Sequence, residues 1–143
     1  MNTRAVVAMS GTFGYELDLN LIGEEEKKQV PIQIESFKKY WNLLHNGEYY
    51  RLTNVLENTS EAAWMMVSDD KEEALINIVM LNATGNCPNK FIRCAGLMPS
   101  VKYQDEESGK VYSSNALMTM GIPIPQKILG EYEAMQIHLR RVI

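Results

Sequence analysis

Cysteine is scarce in this chain, and the scarcity narrows its chemistry. Cys87 and Cys94 are its only two cysteines. Two thiols cannot build a disulfide framework, and without a nearby histidine they fall short of the tetrahedral ligand set of a structural zinc. Both are expected to be free thiols packed as small hydrophobes. Histidine is equally rare: His45 and His138 lie far apart with no serine or cysteine motif near either, which leaves a nucleophilic triad unsupported. No residue pattern calls for a metal or a cofactor. Apolar runs stay well below the roughly 18 residues of a membrane span, and the first twenty residues lack the order of a signal peptide. A reducing cytoplasm is therefore the expected location. Basic charge is also in deficit, with 14 lysines and arginines against 18 acids and a net charge of -4. At an isoelectric point near 5.2 the chain has little to offer nucleic acid or an anionic membrane. The one basic pair, Arg140-Arg141, reads as the solvated edge of a sheet.

What is present suits a packed core: 143 residues, 45% of them hydrophobic. Near the start, Ala5-Val6-Val7-Ala8-Met9 runs into Ser10-Gly11-Thr12-Phe13-Gly14-Tyr15. An apolar run closed by small residues predicts a strand covered on both faces, of the kind found between parallel neighbours. No such neighbour follows in this chain. The expectation is therefore a chain cut from something larger, inside a strand-helix unit.

From Glu24 to Leu44 the spacing predicts a helix. Val30, Ile34, Phe37, Trp41 and Leu44 draw one apolar stripe, acids fill the first turn, and Asn46-Gly47 marks the stop. Pro31 should kink this helix or divide it into two pieces. Beyond Glu48 the period changes. Residues 49–52, 62–67, 74–81, 90–95, 100–104, 110–112 and 135–142 are strand-length runs separated by turn-forming clusters, the signature of an antiparallel sandwich. Ser113 to Met118 predicts a helical turn capped by Ser114 or Asn115, and Gly121 to Pro125 an extended crossing. Asn58-Thr59-Ser60 and Asn82-Ala83-Thr84 match the glycosylation pattern, a match of no consequence in the cytoplasm.

Several segments also carry a resemblance. Gly11 to Asn20 followed by Glu24 to Lys27, then Gly47 to Leu52, Glu61 to Ser68, Ser108 to Ser113, and Leu117-Met118 with Gly121 to Pro125 resemble, in order, the carboxy-terminal part of bacterial α-galactosidases of glycoside hydrolase family 36. The resemblance implies a mainly β chain: residues 1–47 as the terminal strand-helix portion of a (β/α)8 catalytic barrel, and residues 48–143 as a C-terminal antiparallel β-sandwich. It implies a parent enzyme that hydrolyses terminal α-galactosides such as melibiose and raffinose with retention. Its two catalytic aspartates would lie on barrel strands earlier than Ala5. The partners implied are the rest of that barrel, the galactoside in the full-length enzyme, and other subunits of a homo-oligomer.

The residues themselves agree that no catalytic pair is at hand. A retaining glycosidase needs two carboxylates about 5 to 5.5 Å apart on either side of the scissile bond. Glu16 and Asp18, if extended, would lie roughly 6 to 7 Å apart on one side of a single strand, and they are expected only to close it. Gly11-Thr12-Phe13-Gly14 leaves the opening segment where a barrel would bind substrate, so Thr12, Phe13 and Tyr15 are the candidate cleft-lining residues. A reading from another class is a stand-alone carbohydrate-binding sandwich with a platform drawn from Tyr49, Tyr50, Trp64, Tyr103, Tyr112 and Tyr132. Aromatic residues on an inward strand face are core far more often. Finally, an uncovered opening strand and an uncovered helix stripe should drive the chain to dimerise or to pack its helix on its own sandwich.

Overall fold

The computed structural model describes residues 2–16, 18, 20–54, 56–57, 60–83, 85–86, 88–125 and 130–142. Cys87 and parts of both glycosylation-type motifs (Asn58, Thr59, Thr84) lie outside them. Two helices come first, α1 (Asn2–Met9) and α2 (Glu24–Asn46). The remainder is mostly β: β1 (Glu48–Arg51), β2 (Glu61–Val67), β3 (Glu73–Met80), β4 (Phe91–Ile92), β5 (Lys102–Asp105) and β6 (Val111–Ser113), then a short helix α3 (Ser114–Thr119), β7 (Ile122–Pro123) and β8 (Ala134–Val142). Six strands form one antiparallel sheet in the order β1-β2-β3-β8-β5-β6, and β4 pairs with β7 in a second, small one.

Alternation along the strands explains the layers. Ala63, Met65 and Val67 of β2, Ala74, Ile76, Ile78 and Met80 of β3, and Ile137 and Leu139 of β8 form a core with Tyr103, Leu117 and the small-sheet residues Ile92 and Ile122. The intervening residues point the other way. Met66 and Leu75 meet Ala5, Met9, Leu43 and Leu44 of the two helices, while Val79 and Ala134 meet Val6. The large sheet is thus sandwiched between helices on one face and the small sheet with α3 on the other. Two contacts leave no room for a side chain. A Cβ on Gly47 would lie 2.4 Å from the Leu43 carbonyl, and one on Gly96, which has φ +73°, would lie 2.3 Å from the Tyr50 ring.

The antiparallel, mainly β architecture agrees with the sequence reading, and five local expectations need correction. Ala5 to Met9 is helical, not a strand: its buried residues Ala5, Val6 and Met9 fall on one side, and Val7 is 51% exposed. A run of five apolar residues has the same composition in either state, so periodicity could not separate them. The α2 helix runs unbroken through Pro31, an exposed residue at its eighth position. Its buried face is also turned by a residue from the expected stripe, towards Gln33, Phe37, Tyr40, Leu43 and Leu44, with Trp41 half exposed. Arg140-Arg141 lies on an interior strand, since β8 sits between β3 and β5 and the sheet edges are β1 and β6. Arg141 pairs with Glu72 across the sheet, and Arg140 Nε lies 3.3 Å from Glu106 Oε1. Last, neither Ser114 nor Asn115 caps α3: Ser113 holds the N-cap position without a side-chain capping bond, while the Ser114 hydroxyl accepts the Val101 N–H at 3.1 Å and the Asn115 carboxamide oxygen accepts that of Ser100 at 3.1 Å.

The helical layer is held by polar contacts as well. His138, 5% exposed on the helix-facing side of β8, sits with Nε2 2.9 Å from Glu73 Oε2 and with the Tyr40 ring edge-on at 5.1 Å. Asn2 Nδ2 donates to the Ala134 carbonyl at 2.7 Å, tying α1 to the start of β8.

Ile76 is fully buried at the middle of the central strand. Ile76→Ala is expected to cost about 2–5 kcal/mol, read as a lower urea midpoint. Cys94 is a free, buried thiol that burial pushes up to about 12 from 9.0. Its folded-state value is raised, so its contribution to stability is complete below pH 9 and is lost as pH rises towards 12. At pH 8 it is expected to resist alkylation until the chain is unfolded, as site-resolved mass spectrometry would report.

Candidate functional site

A cleft opens where α1, the segment after it and the first turns of α2 converge. Local chemistry holds that segment in place. The Trp64 indole N–H of β2 donates to Ser10 Oγ at 2.7 Å, anchoring the turn after α1 to the sheet. Phe13 then packs on Phe37 with ring centroids 4.9 Å apart, and Tyr15 meets Phe13 edge-on at 5.4 Å. The aromatic series continues along α2, with Phe37 to Trp41 at 5.3 Å and Trp41 stacked on His45 at 3.6 Å.

The cleft holds about 100 Å³ and is lined by Arg4, Ala5 and Ala8 of α1, by residues 13–16, and by Gln33 of α2. Its walls are largely apolar. Gln33 is 6% exposed and its carboxamide oxygen accepts the Tyr15 hydroxyl at 2.5 Å. With Oε1 so engaged, Nε2 has no hydrogen-bond partner among the described residues. Burial raises the Tyr15 phenol above its ordinary value of 10.0, so it remains a donor at neutral pH.

Of the sequence candidates, Phe13 and Tyr15 line this cleft, whereas Thr12 is exposed and outside its lining. Glu16 contributes to the rim. Asp18 is exposed, and its Oδ1 accepts the backbone N–H of Asn20 at 2.8 Å, a local turn contact. Arg4 and Gln33 were not singled out from sequence. Gln33 falls with Phe37, Tyr40 and Leu44 on steps of four, three and four, a stripe that acquires meaning only with the buried face of α2 in view.

The aromatic residues of the β region do not gather into one platform. Tyr103 is fully buried, and Tyr50 and Tyr112 pack against the core beneath the small sheet. Trp64 lies on the opposite, helix-facing side of the sheet. Tyr49, 52% exposed, is on the edge strand β1, and Tyr132, 68% exposed, is in the turn before β8. Among the described residues no group of three or more histidine, cysteine, aspartate or glutamate side chains is placed to hold a metal ion. No described helix is long and apolar enough to cross a membrane.

Residues 61–139 match the model of the glycosyl hydrolase family 36 C-terminal domain, and residues 1–47 match that of melibiase. The chain belongs to glycosyl hydrolase family 36. It is 45% identical over 135 residues to the bifunctional α-galactosidase/sucrose kinase AgaSK of Mediterraneibacter gnavus, a match covering 94% of this chain and 14% of the relative. It is 39% identical over 127 residues to the α-galactosidase AgaA of Geobacillus stearothermophilus, covering 89% and 17%. The solved galactosidase domain of AgaSK superposes with a TM-score of 0.92 at 43% identity, over 97% of this chain and 19% of that one. The crystal structure of AgaA superposes with a TM-score of 0.89 at 37% identity, over the same shares. This family 36 chain is thus homologous to the C-terminal region of α-galactosidases and spans less than a fifth of their length.

Tyr15→Phe would leave both ends of the buried Gln33 amide unpaired. It is expected to destabilise the chain by about 1–3 kcal/mol, measured as a shift in denaturant midpoint against wild type.

Proposed function

We propose that this chain serves as the C-terminal structural part of an α-galactosidase, and that the whole enzyme performs retaining hydrolysis of terminal α-galactosides of the melibiose and raffinose type. In this reading residues 1–47 are the end of the catalytic domain and residues 48–143 a separate C-terminal domain. The observation that carries it is the order of the two family matches along one chain, melibiase at 1–47 followed by the family 36 C-terminal domain at 61–139. The short connection through β1 supports a division at residue 47, where Gly47 packs too tightly for any other residue.

The chain contributes no catalytic carboxylates. Glu16 sits at the rim of a small cleft and Asp18 in a turn, and among the described residues no second acid shares the lining of that cleft. Its contribution is mechanical: α1 and α2 present part of the catalytic domain, and the sheet to which they are fixed buttresses it. The apolar contact of Leu43 and Leu44 with Met66 and Leu75 supports this, because the helical layer and the sheet share one core there. The half-exposed Trp41 and the exposed Ile32 and Val7 leave apolar surface for the rest of the enzyme or for neighbouring subunits of a homo-oligomer. A bacterial cytoplasm is the setting that suits a free buried thiol.

The chain alone is expected to give no turnover of a chromogenic α-galactoside. Release of the chromophore by purified chain, above a buffer control and abolished by an α-galactosidase inhibitor, would overturn the structural assignment.

A further inference from the structure

The cleft beside Gln33 carries a specific demand. Its buried carboxamide has committed Oε1 to Tyr15 and presents an N–H with no partner. A buried unpaired donor is costly, so such a group commonly awaits a partner absent from the structure in hand. What that partner is follows from size and surroundings. A cavity of about 150 Å³ accommodates a benzene ring, and this cleft of about 100 Å³ is smaller. It suits one peptide unit better than a pyranose with its shell of hydroxyls. Its walls, Ala5, Ala8 and the Phe13 ring, suit a flanking apolar side chain. The aromatic series through Phe37 and Trp41 and the exposed Ile32 extend that apolar surface along α2.

We propose that the Gln33–Tyr15 pair is a docking notch for a main-chain carbonyl: Gln33 Nε2 donates to a peptide oxygen of the catalytic-domain polypeptide that accompanies this segment in family 36 enzymes. This rests on the reading of residues 1–47 as part of that domain. In the relatives this region is 14% to 17% of the whole, so polypeptide to supply the carbonyl is plentiful there. Phe13 and Tyr15 then belong to an internal joint and not to a substrate subsite, and Gln33 is a positioning residue.

The test grafts the full 143-residue chain in place of the matching C-terminal region of the Geobacillus AgaA enzyme and compares it with the chain by itself. Two variants are carried through both: Gln33→Leu, and Gln33→Glu, which keeps an acceptor for Tyr15 but removes the N–H. In the chain by itself Gln33→Leu should lower the melting temperature less than Tyr15→Phe does, because both delete the Tyr15–Gln33 bond and only the leucine also removes the unpaired donor. In an active graft both variants should lower the activity surviving a heat challenge by about tenfold, the loss of one buried hydrogen bond. An active graft indifferent to both variants overturns the notch and leaves the family reading intact. A folded graft of the wild-type chain without activity overturns the reading of residues 1–47 as part of the catalytic domain, and the notch with it. Movement of the Gln33 side-chain amide signals on adding galactose to the chain would assign the cleft to a sugar and likewise overturn the proposal.

Discussion

Both faces of β3 are apolar, and the rest of the fold is a response to that constraint. Seven of its eight residues are buried, and only Asn77 among those seven is polar. An antiparallel strand normally leaves one face to water. Here Ala74, Ile76, Ile78 and Met80 require one cover and Leu75 and Val79 another. The small sheet with α3 supplies the first, and the helices supply the second. Remove either layer and the central strand exposes a row of large aliphatic side chains.

That requirement explains which parts of the architecture could be read in advance. The strands of the large sheet were legible because their boundaries are chemical: Asp69-Asp70 between β2 and β3, and the Glu106 to Gly109 turn between β5 and β6. The length of α2 was legible from its acidic first turn and Gly47. Which face it buries was not, because the choice between Trp41 and Tyr40 is made by the sheet beneath, where Tyr40 meets His138. The same holds for Arg140-Arg141. Two adjacent arginines look like an edge until Glu72, Glu73 and Glu106 are brought alongside from the turn before β3, from β3 itself and from the turn after β5.

The site was half legible for a related reason. Phe13 and Tyr15 stood out because aromatic residues beside glycine are conspicuous. Gln33 did not, since a glutamine on a helix is ordinarily a solvated residue and its spacing has meaning only once the buried face of α2 is known. Its importance comes from its burial, with Oε1 accepting the Tyr15 hydroxyl and Nε2 unpartnered among the described residues.

Asn2 bonded to Ala134 places α1 beside the start of β8, and β3 pairs with β8 across some sixty intervening positions. Neither the first helix nor the central strand can reach its final neighbours until β8 has left the ribosome. Loop closure over such distances is slow. Between the emergence of β3 and that of β8 the aliphatic surface of β3 stays open, an interval in which chaperone protection or rapid collapse decides between folding and aggregation.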